Sequence, residues 1–183
     1  MRKIVLTFGL ISGLLCSLMM VATVPFADRI GFDRAEYVGY TVIVLSFLLI
    51  FFGVRSYRET VGDGRITFAR AFAVGISITL ITCAFYVLTW EILYFNFLHG
   101  FMDEYGAYMI AKAKASGAST AALRAQMDQL QHYKAMYENP LFNAAVTFME
   151  PFPIGLVVSA VSAAVVRRKA PSAPVTTAPI ASV

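Results

Sequence analysis

Charged side chains are scarce in this 183-residue chain. Lys, Arg, Asp and Glu make up only 14% of its residues, whereas soluble domains carry about 25%. The hydrophobic fraction is 58% and the mean hydropathy is +0.69. This composition excludes an ordinary soluble domain and indicates a protein shaped by the lipid bilayer. The net charge of +4 comes without basic and aromatic residues interleaved in the loops, so no nucleic-acid binding is expected.

Catalytic and metal-binding signatures are also missing from the sequence. It contains no nucleophile elbow, phosphate-binding loop or dinucleotide fingerprint. Its histidines, His99 and His132, have no acidic or thiol ligands at metal spacing. Its cysteines, Cys16 and Cys83, fall within apolar stretches, where a thiol behaves as a small apolar side chain. We therefore expect no enzymatic activity, no bound metal and no cofactor.

Four long apolar stretches dominate what is present. We predict transmembrane spans at 4–27, 37–54, 71–98 and 141–166. Even the shortest reaches about 27 Å as a helix, close to the thickness of the hydrocarbon layer. The first begins like a signal peptide, but its apolar run exceeds the usual length of about 7 to 15 residues, so we expect it to be retained.

The basic residues fall mainly on one side of the predicted spans. If the spans alternate in direction, nine Lys and Arg residues share one side of the membrane. The other side carries six Lys and Arg residues and seven Asp and Glu residues. By the positive-inside rule, the nine mark the cytoplasmic side of the membrane. Both termini are therefore expected in the cytoplasm, with residues 99–140 on the outer face.

Residues 99–140 are the main segment predicted outside the bilayer. After Gly117, apolar residues recur at steps of three and four, which predicts an amphipathic helix ending at Pro140. Residues 101–114 are expected to extend the third span, so that an outer helical hairpin forms. The apolar stripe consists of Leu123, Met127, Leu130, Tyr133 and Tyr137. This stripe is expected to pack against an apolar face of residues 101–114, the first helix of the hairpin. That face consists of Phe101, Tyr105, Tyr108 and Met109.

The chain is expected to form one domain with a tail. Residues 1–169 contain all four spans and the outer segment. Residues 170–183 are rich in Pro and Ala and have too little apolar bulk to fold, so they are expected to be disordered.

Small residues repeat every four positions in three of the spans. Such stripes let helix backbones approach closely, and packing within the chain is favoured over dimerisation. The stripes are Gly9, Gly13 and Ser17, then Ala71, Gly75, Thr79 and Cys83, then Gly155, Ser159 and Ala163.

Glu91 and Glu150 are the two carboxylates inside the spans. A carboxylate in hydrocarbon costs several kcal/mol, so such residues usually face a protein interior and mark a functional site. Counted from the predicted span ends, both lie about 10 to 14 Å below the outer boundary. Antiparallel neighbours at that depth would form a close pair able to hold a proton or a cation. Alternatively, each fixes helix register through a local hydrogen bond, with Thr147, Asn143, Tyr94 or Trp90 as candidate partners.

Pro151 and Pro153 follow Glu150 directly. They remove amide donors where the fourth span carries its charge, which predicts a kink or a break. Transporters often contain broken helices near the midplane, but prolines also kink helices that transport nothing.

A second candidate site is the predicted cytoplasmic loop between the second and third spans. Its turn signal is Gly62-Asp63-Gly64. Its arginines either snorkel to the membrane surface or bind anionic lipid or phosphate, and snorkelling is favoured. These arginines are Arg55, Arg58, Arg65 and Arg70.

Several short runs of the sequence resemble one known family. They are GVRSYRE at 53–59, GRITF at 64–68, RAF at 70–72 with Gly75, and FMEPFP at 148–153 with Gly155. On these runs, the chain up to Lys169 resembles the bacterial family catalogued as domain of unknown function 4199. The resemblance implies a four-span protein of the bacterial inner membrane with no assigned activity.

The sequence therefore predicts an all-α integral membrane four-helix bundle with an extramembrane helical hairpin between helices three and four. Our first functional hypothesis is a non-enzymatic membrane component that binds a membrane-protein partner or its own copies through the outer segment. The alternative is a small proton- or cation-coupled carrier or channel that uses Glu91 and Glu150. A wet cavity reaching both glutamates would favour the carrier, whereas a dry bundle with an exposed apolar groove would favour the binding component.

Overall fold

The computed structural model describes residues 1–167, and nearly all of their regular structure is helical. The helices are α1 (Arg2–Thr23), α2 (Ala27–Ile30), α3 (Phe32–Thr60), α4 (Phe68–Asn96), α5 (Phe101–Ala115), α6 (Thr120–Tyr137), α7 (Pro140–Met149) and α8 (Pro151–Val166). A 3-10 turn, Val24–Phe26, joins α1 to α2. The predicted all-α fold is confirmed. The predicted tail, 170–183, lies outside the described residues.

Four helical stretches have the length and composition needed to cross a membrane. They are Arg2–Phe26, Phe32–Thr60, Phe68–Asn96 and Pro140–Val166, and they match the four predicted spans. The largest displacement is in α3, which continues six residues past the predicted end at 54. The apolar run stops at Arg55, but the helix continues beyond it, and Arg55 and Glu59 pair one turn apart with Nε and Oε1 separated by 2.9 Å, which adds modest support.

The four spans form a bundle in which α1 and α8 each contact both α3 and α4. The start of α1, the end of α3, the start of α4 and α8 make up what we call the basal half. The opposite ends of the first three helices, together with α7, make up the hairpin half, which adjoins α5 and α6. The apolar core includes Val5, Phe47, Ile50, Val54, Val74 and Ile78.

Small residues allow close helix contact in the basal half. A Cβ added to Gly155 would lie 2.3 Å from Thr79 Cγ2, and one added to Gly53 would lie 2.5 Å from Ile78 Cδ1. The Thr79 hydroxyl lies 3.1 Å from Ser159 Oγ and 3.3 Å from the main-chain oxygen of Gly155. The predicted stripes on α4 and α8 therefore serve packing within the chain, where lipid gives no hydrophobic drive for association.

α5 and α6 form the predicted hairpin, but α5 is not an extension of the third span. α4 ends at Asn96, and Gly100 adopts a φ of 90° before α5 begins. L side chains rarely adopt this φ, so a glycine is suited to breaking the helix here. Gly117 adopts a φ of 79° after α5, and the Ser119 hydroxyl then caps α6 by accepting from the amide of Ala122.

The predicted contact face of α5 is wrong. Its aromatic row turns toward the start of α3, where the Phe32 ring centroid lies 6.0, 5.7 and 5.2 Å from those of Phe101, Tyr105 and Tyr108. The row that faces α6 across a groove includes Met102, Gly106 and Ile110. α5 carries apolar residues on two faces, and the tertiary position of α3 decides which one meets α6.

The fourth span is broken at Glu150. α7 ends at Met149 and α8 begins at Pro151. Because Pro151 and Pro153 have no amide proton, the regular hydrogen-bond ladder cannot continue through them. The Glu150 amide donates to the Thr147 carbonyl at a long 3.4 Å. The two parts of this span pack differently: α7 contacts α4 and α6, whereas α8 contacts α3 and α4.

Candidate functional site

Glu150 lies at the break between α7 and α8 and lines a cavity in the hairpin half of the bundle. Its Oε2 accepts a 2.8 Å hydrogen bond from the hydroxyl of Tyr86 on α4. Within residues 1–167 this is the one hydrogen bond that the carboxylate makes. Its Oε1 is therefore left for a proton, water or a ligand.

Tyr86 and Glu150 meet because they lie at the same depth on neighbouring antiparallel helices. Tyr86 is ten residues before the end of α4 at Asn96, and Glu150 is ten residues after the start of α7 at Pro140. Both distances correspond to about 15 Å along a helix. Tyr86 was not among the partners named from the sequence. Matching depth on the adjacent span is the signal that would have identified it.

Two of the partners named from the sequence form a different network. Thr147 Oγ1 donates to Asn143 Oδ1 at 3.3 Å, and Asn143 Nδ2 donates to the main-chain oxygen of Tyr137 at 3.2 Å. The Asn143 and Thr147 side chains are buried. This network joins α7 to the end of α6 and leaves the Glu150 carboxylate to Tyr86.

Glu91 is in a different environment from Glu150. It lies five residues from the end of α4, or about 7.5 Å, because that helix ends at Asn96 and not at 98. Its Oε1 is buried and has no hydrogen-bond partner in the described part of the chain. Across residues 1–167, no hydrogen bond joins the two glutamates, and the cavity lining includes Glu150 without Glu91. The structure does not bring the two predicted site residues together.

The cavity beside Glu150 has a volume of about 90 Å³. This is enough for a few water molecules, since each needs roughly 10 to 15 Å³ by this kind of measure. Its wall is mostly apolar, and Glu150 is the single charged residue among the side chains that line it. A carboxylate inside a span is tolerated where it faces such a cavity. The lining residues are Cys16, Met19, Met20, Thr23, Val24, Ala35, Gly39, Val42, Ile43, Tyr86, Trp90 and Glu150.

Two tyrosines of α6 lie within electrostatic reach of Glu150. Burial raises the pKa of Tyr133, and the negative charge of Glu150 raises it further. Burial also raises the pKa of Tyr137, again with a contribution from Glu150. The Tyr137 ring contacts that of Tyr94 on α4, with centroids 5.2 Å apart. Tyr133 and Tyr137 therefore place part of α6 close to the site inside the bundle.

The four arginines of the predicted basic loop differ in their contacts. Arg55 and Arg58 both pair with Glu59 Oε1, at 2.9 and 3.0 Å. Arg58 also donates through Nη1 to the main-chain oxygen of Val166 at 3.3 Å, and so caps the end of α8. The two remaining arginines, which are exposed, are Arg65 and Arg70. Arg58 thus has a structural role that the sequence did not reveal.

A groove of about 470 Å³ lies between α5 and α6. The residues that line it are largely apolar. The charged residues among them are Asp103, Lys114 and Lys134. Lys134 Nζ lies 2.5 Å from Asp103 Oδ1, so one ion pair links the two helices. The remaining lining residues are Met102, Gly106, Ala107, Ile110, Ala111, Met127, Leu130 and Gln131.

The described residues contain no group of three or more His, Cys, Asp or Glu that is able to hold a metal ion. Glu150, which lines the cavity, has an exposed side chain. Four apolar helices of membrane length in an all-α fold define a multi-pass integral membrane protein. The chain belongs to the family described as "Protein of unknown function (DUF4199)", which it matches over residues 7–168. No curated protein and no solved structure matches it. Any more specific function must be argued from its own geometry.

Proposed function

We propose that this protein is a non-enzymatic membrane component that binds an apolar helix of a membrane-protein partner in the groove between α5 and α6. The groove itself is the observation that carries the proposal, because it combines a largely apolar floor with charged rim residues. Grooves of this kind receive the apolar face of a helix. Gly106, Ala107 and Ala111 line the α5 side, and such small residues permit close approach of another helix.

The separate anchoring of α5 and α6 supports a groove that stays open without a partner. α5 is attached to the start of α3 by the ring contacts of Phe32 and by an ion pair in which Lys112 Nζ lies 2.7 Å from Asp33 Oδ1. α6 is attached to α4 through the ring contact between Tyr137 and Tyr94. Neither anchor requires α5 and α6 to close on each other.

Crosslinking in intact cells tests the groove. A photo-reactive amino acid at Ala111 of the full-length protein is expected to give a discrete adduct with one partner. Gly106→Leu fills the groove, and the side chain has room because the nearest atom to an added Cβ is Leu130 Cδ1 at 3.9 Å. This variant is expected to lose the adduct.

The matched control is Gln129→Leu, which introduces the same leucine at an exposed position of α6 that does not line the groove. It should keep the adduct. An adduct of twice the chain's mass would mean that the groove binds a second copy of this chain. An adduct that survives Gly106→Leu unchanged would contradict the proposal.

A small carrier for protons or cations is the second candidate, and the cavity at Glu150 is the observation that favours it. Of the two intramembrane glutamates, only Glu150 lines this cavity. Phe47 and Ile50 lie on α3 between the cavity and the basal end of the bundle, and both are fully buried. Transport would therefore require the basal half to open. Uptake into vesicles that Glu150→Gln abolishes and Glu91→Gln leaves intact would support this candidate, and equal uptake by both variants would remove it.

The proposed location is the bacterial inner membrane, with both termini in the cytoplasm. The distribution of basic residues supports this orientation. A membrane-impermeant thiol reagent on intact cells should label Ser119→Cys and should not label Asp63→Cys. The native Cys16 and Cys83 are 3% and 0% exposed, so they give little background. The reverse labelling pattern would overturn the orientation.

A further inference from the structure

We propose that the cavity at Glu150 is a binding site for a primary alkylammonium ion, with the ammonium at the carboxylate and the alkyl chain along the apolar wall. The proposal deepens the second candidate function by naming a ligand class. It requires binding only, so it stands whether or not the protein transports anything. It is also independent of the groove between α5 and α6.

The accessible polar side-chain atoms of the cavity act as acceptors. Glu150 Oε2 already accepts from the Tyr86 hydroxyl, and the Thr23 hydroxyl donates to the main-chain oxygen of Met19 at 2.8 Å. Both hydroxyl protons are therefore committed, and the hydroxyl oxygens keep free lone pairs. The indole N–H of Trp90 is buried and has no hydrogen-bond partner in the described part of the chain, so it is not among these accessible atoms. A ligand that brings hydrogen-bond donors and a positive charge complements this set.

An ammonium group suits the site better than a metal ion. Divalent cations such as Ca²⁺ and Mg²⁺ require about six or more oxygen ligands. The side chains of the cavity offer a carboxylate and two hydroxyl groups, from Glu150, Tyr86 and Thr23. These three groups match in number the three N–H donors of a primary ammonium.

The rest of the cavity favours an alkyl chain over a fully hydrated ion. Its wall includes Met20, Val42 and Ile43, which offer contacts to hydrocarbon and nothing to a hydration shell. The volume of about 90 Å³ limits the ligand to a slender chain. Each methylene buried against this wall should raise the affinity up to about fourfold until the cavity is filled.

Trp90 allows the proposal to be tested directly, because it is the one tryptophan of the chain and it lines the cavity. The full-length protein in an uncharged maltoside detergent is titrated with hexylammonium while the tryptophan fluorescence is recorded. A saturable change is expected, with an affinity that increases from propylammonium to hexylammonium. Hexanol, which has the same chain without the charge, should bind at least about tenfold more weakly.

Two variants and one matched control locate the binding. Glu150→Gln should lower the affinity for hexylammonium about tenfold or more, since it removes a charge-assisted hydrogen bond. Tyr86→Phe keeps the ring and should lower the affinity several-fold. Glu91→Gln changes the other intramembrane glutamate, beside Trp90 in sequence but outside the cavity lining, and should bind as tightly as the native protein.

The proposal is overturned if the native protein gives no saturable signal, if hexanol binds as tightly as hexylammonium, or if Glu150→Gln binds normally. If Glu150→Gln does not fold, unchanged affinity in Tyr86→Phe overturns it instead. Crosslinking from Ala111 in the same variants is expected to be unaffected. A failure here therefore remains distinct from a failure of the proposed groove function.

Discussion

The basal half and the hairpin half of the bundle contain the same helices but are packed by different means. In the basal half, the helices meet at glycines and small hydroxyl residues, with Gly155 against Thr79 and Gly75 against Ser159. In the hairpin half, the break at Glu150 coincides with a cavity, and aromatic rings and ion pairs make the contacts with α5 and α6. The basal half is thus closely packed, while the hairpin half contains a cavity.

Glycines in the two halves illustrate the difference. A Cβ on Gly155 would meet Thr79 Cγ2 at 2.3 Å and the Phe47 ring at 2.9 Å, whereas a Cβ on Gly39 would have no atom within 4 Å. In the first case glycine is required because two helices touch there. In the second it leaves open a cavity that a side chain would fill. Glycine therefore permits close helix contact at Gly155 in the basal half, and it leaves space at Gly39 in the hairpin half.

The largest expected effect comes from Gly155→Leu. The new side chain collides with Thr79, which hydrogen bonds hold in place, so α4 and α8 must separate at a cost of about 3 kcal/mol or more. Gly39→Leu, at the cavity, is the matched change and should leave the stability within about 1 kcal/mol of the native value. Unfolding of both variants in mixed detergent, followed by circular dichroism, measures the difference. Equal losses would show that the two halves are packed alike.

An intermediate effect is expected from Phe32→Ala, which removes the ring that anchors α5 to α3. Three ring contacts are lost, so α5 should loosen locally by about 2 kcal/mol while the spans stay folded. Hydrogen exchange should accelerate in α5 and remain slow in α4 and α8. Phe26→Ala removes a ring that is 47% exposed and should have little effect on either region. Equal acceleration in the spans would mean that the hairpin is not separately anchored.

The smallest expected effect concerns the ion pair between α5 and α6. The Asp103 carboxylate raises the pKa of Lys134 above the ordinary 10.5. The ion pair therefore contributes its full stabilisation when the pH is below the ordinary lysine pKa. This stabilisation is lost only as the pH rises through the raised pKa of Lys134. Protease cleavage near Gly117 should be independent of pH around neutrality and increase modestly at strongly alkaline pH.

Lys134→Met should remove that alkaline step and cause a small increase in cleavage, because both partners are exposed and solvent screens the pair. High salt should reduce the difference between this variant and the native protein. Lys114→Met, on the same groove, is the control and should behave like the native protein. A large effect of Lys134→Met in high salt would instead assign the lysine a packing role.

The features predicted correctly are those that depend on nearby residues in the chain. Span positions follow from the length of each apolar run, since every residue of a span must tolerate lipid on its own. The break at Glu150 follows from Pro151, which lacks an amide proton and whose ring crowds the preceding turn of the helix. The third span ends two residues before its predicted end and the fourth begins one residue before its predicted start, and these errors made the depths of Glu91 and Glu150 look more alike than they are.

The features that were missed depend on which helices lie side by side. Tyr86 on α4 donates a hydrogen bond to Glu150 in the fourth span, and Arg58 donates one to Val166, which lies 108 positions later in the chain. The apolar face of α5 was assigned to α6, but the start of α3 takes it through Phe32. No local pattern chooses between two apolar faces of one helix, because that choice is made by the helices that surround it.

The sequence by itself determined that this protein is shaped by lipid, and it determined the four spans, the helical hairpin and the broken helix, because apolar length, glycine and proline act locally. The tertiary structure alone decided that Glu150 faces a cavity with Tyr86 while Glu91 stands apart. It also decided that α5 and α6 hold a groove open between them. These outcomes depend on register and on contacts between residues far apart in the chain, such as the 64 positions that separate Tyr86 from Glu150.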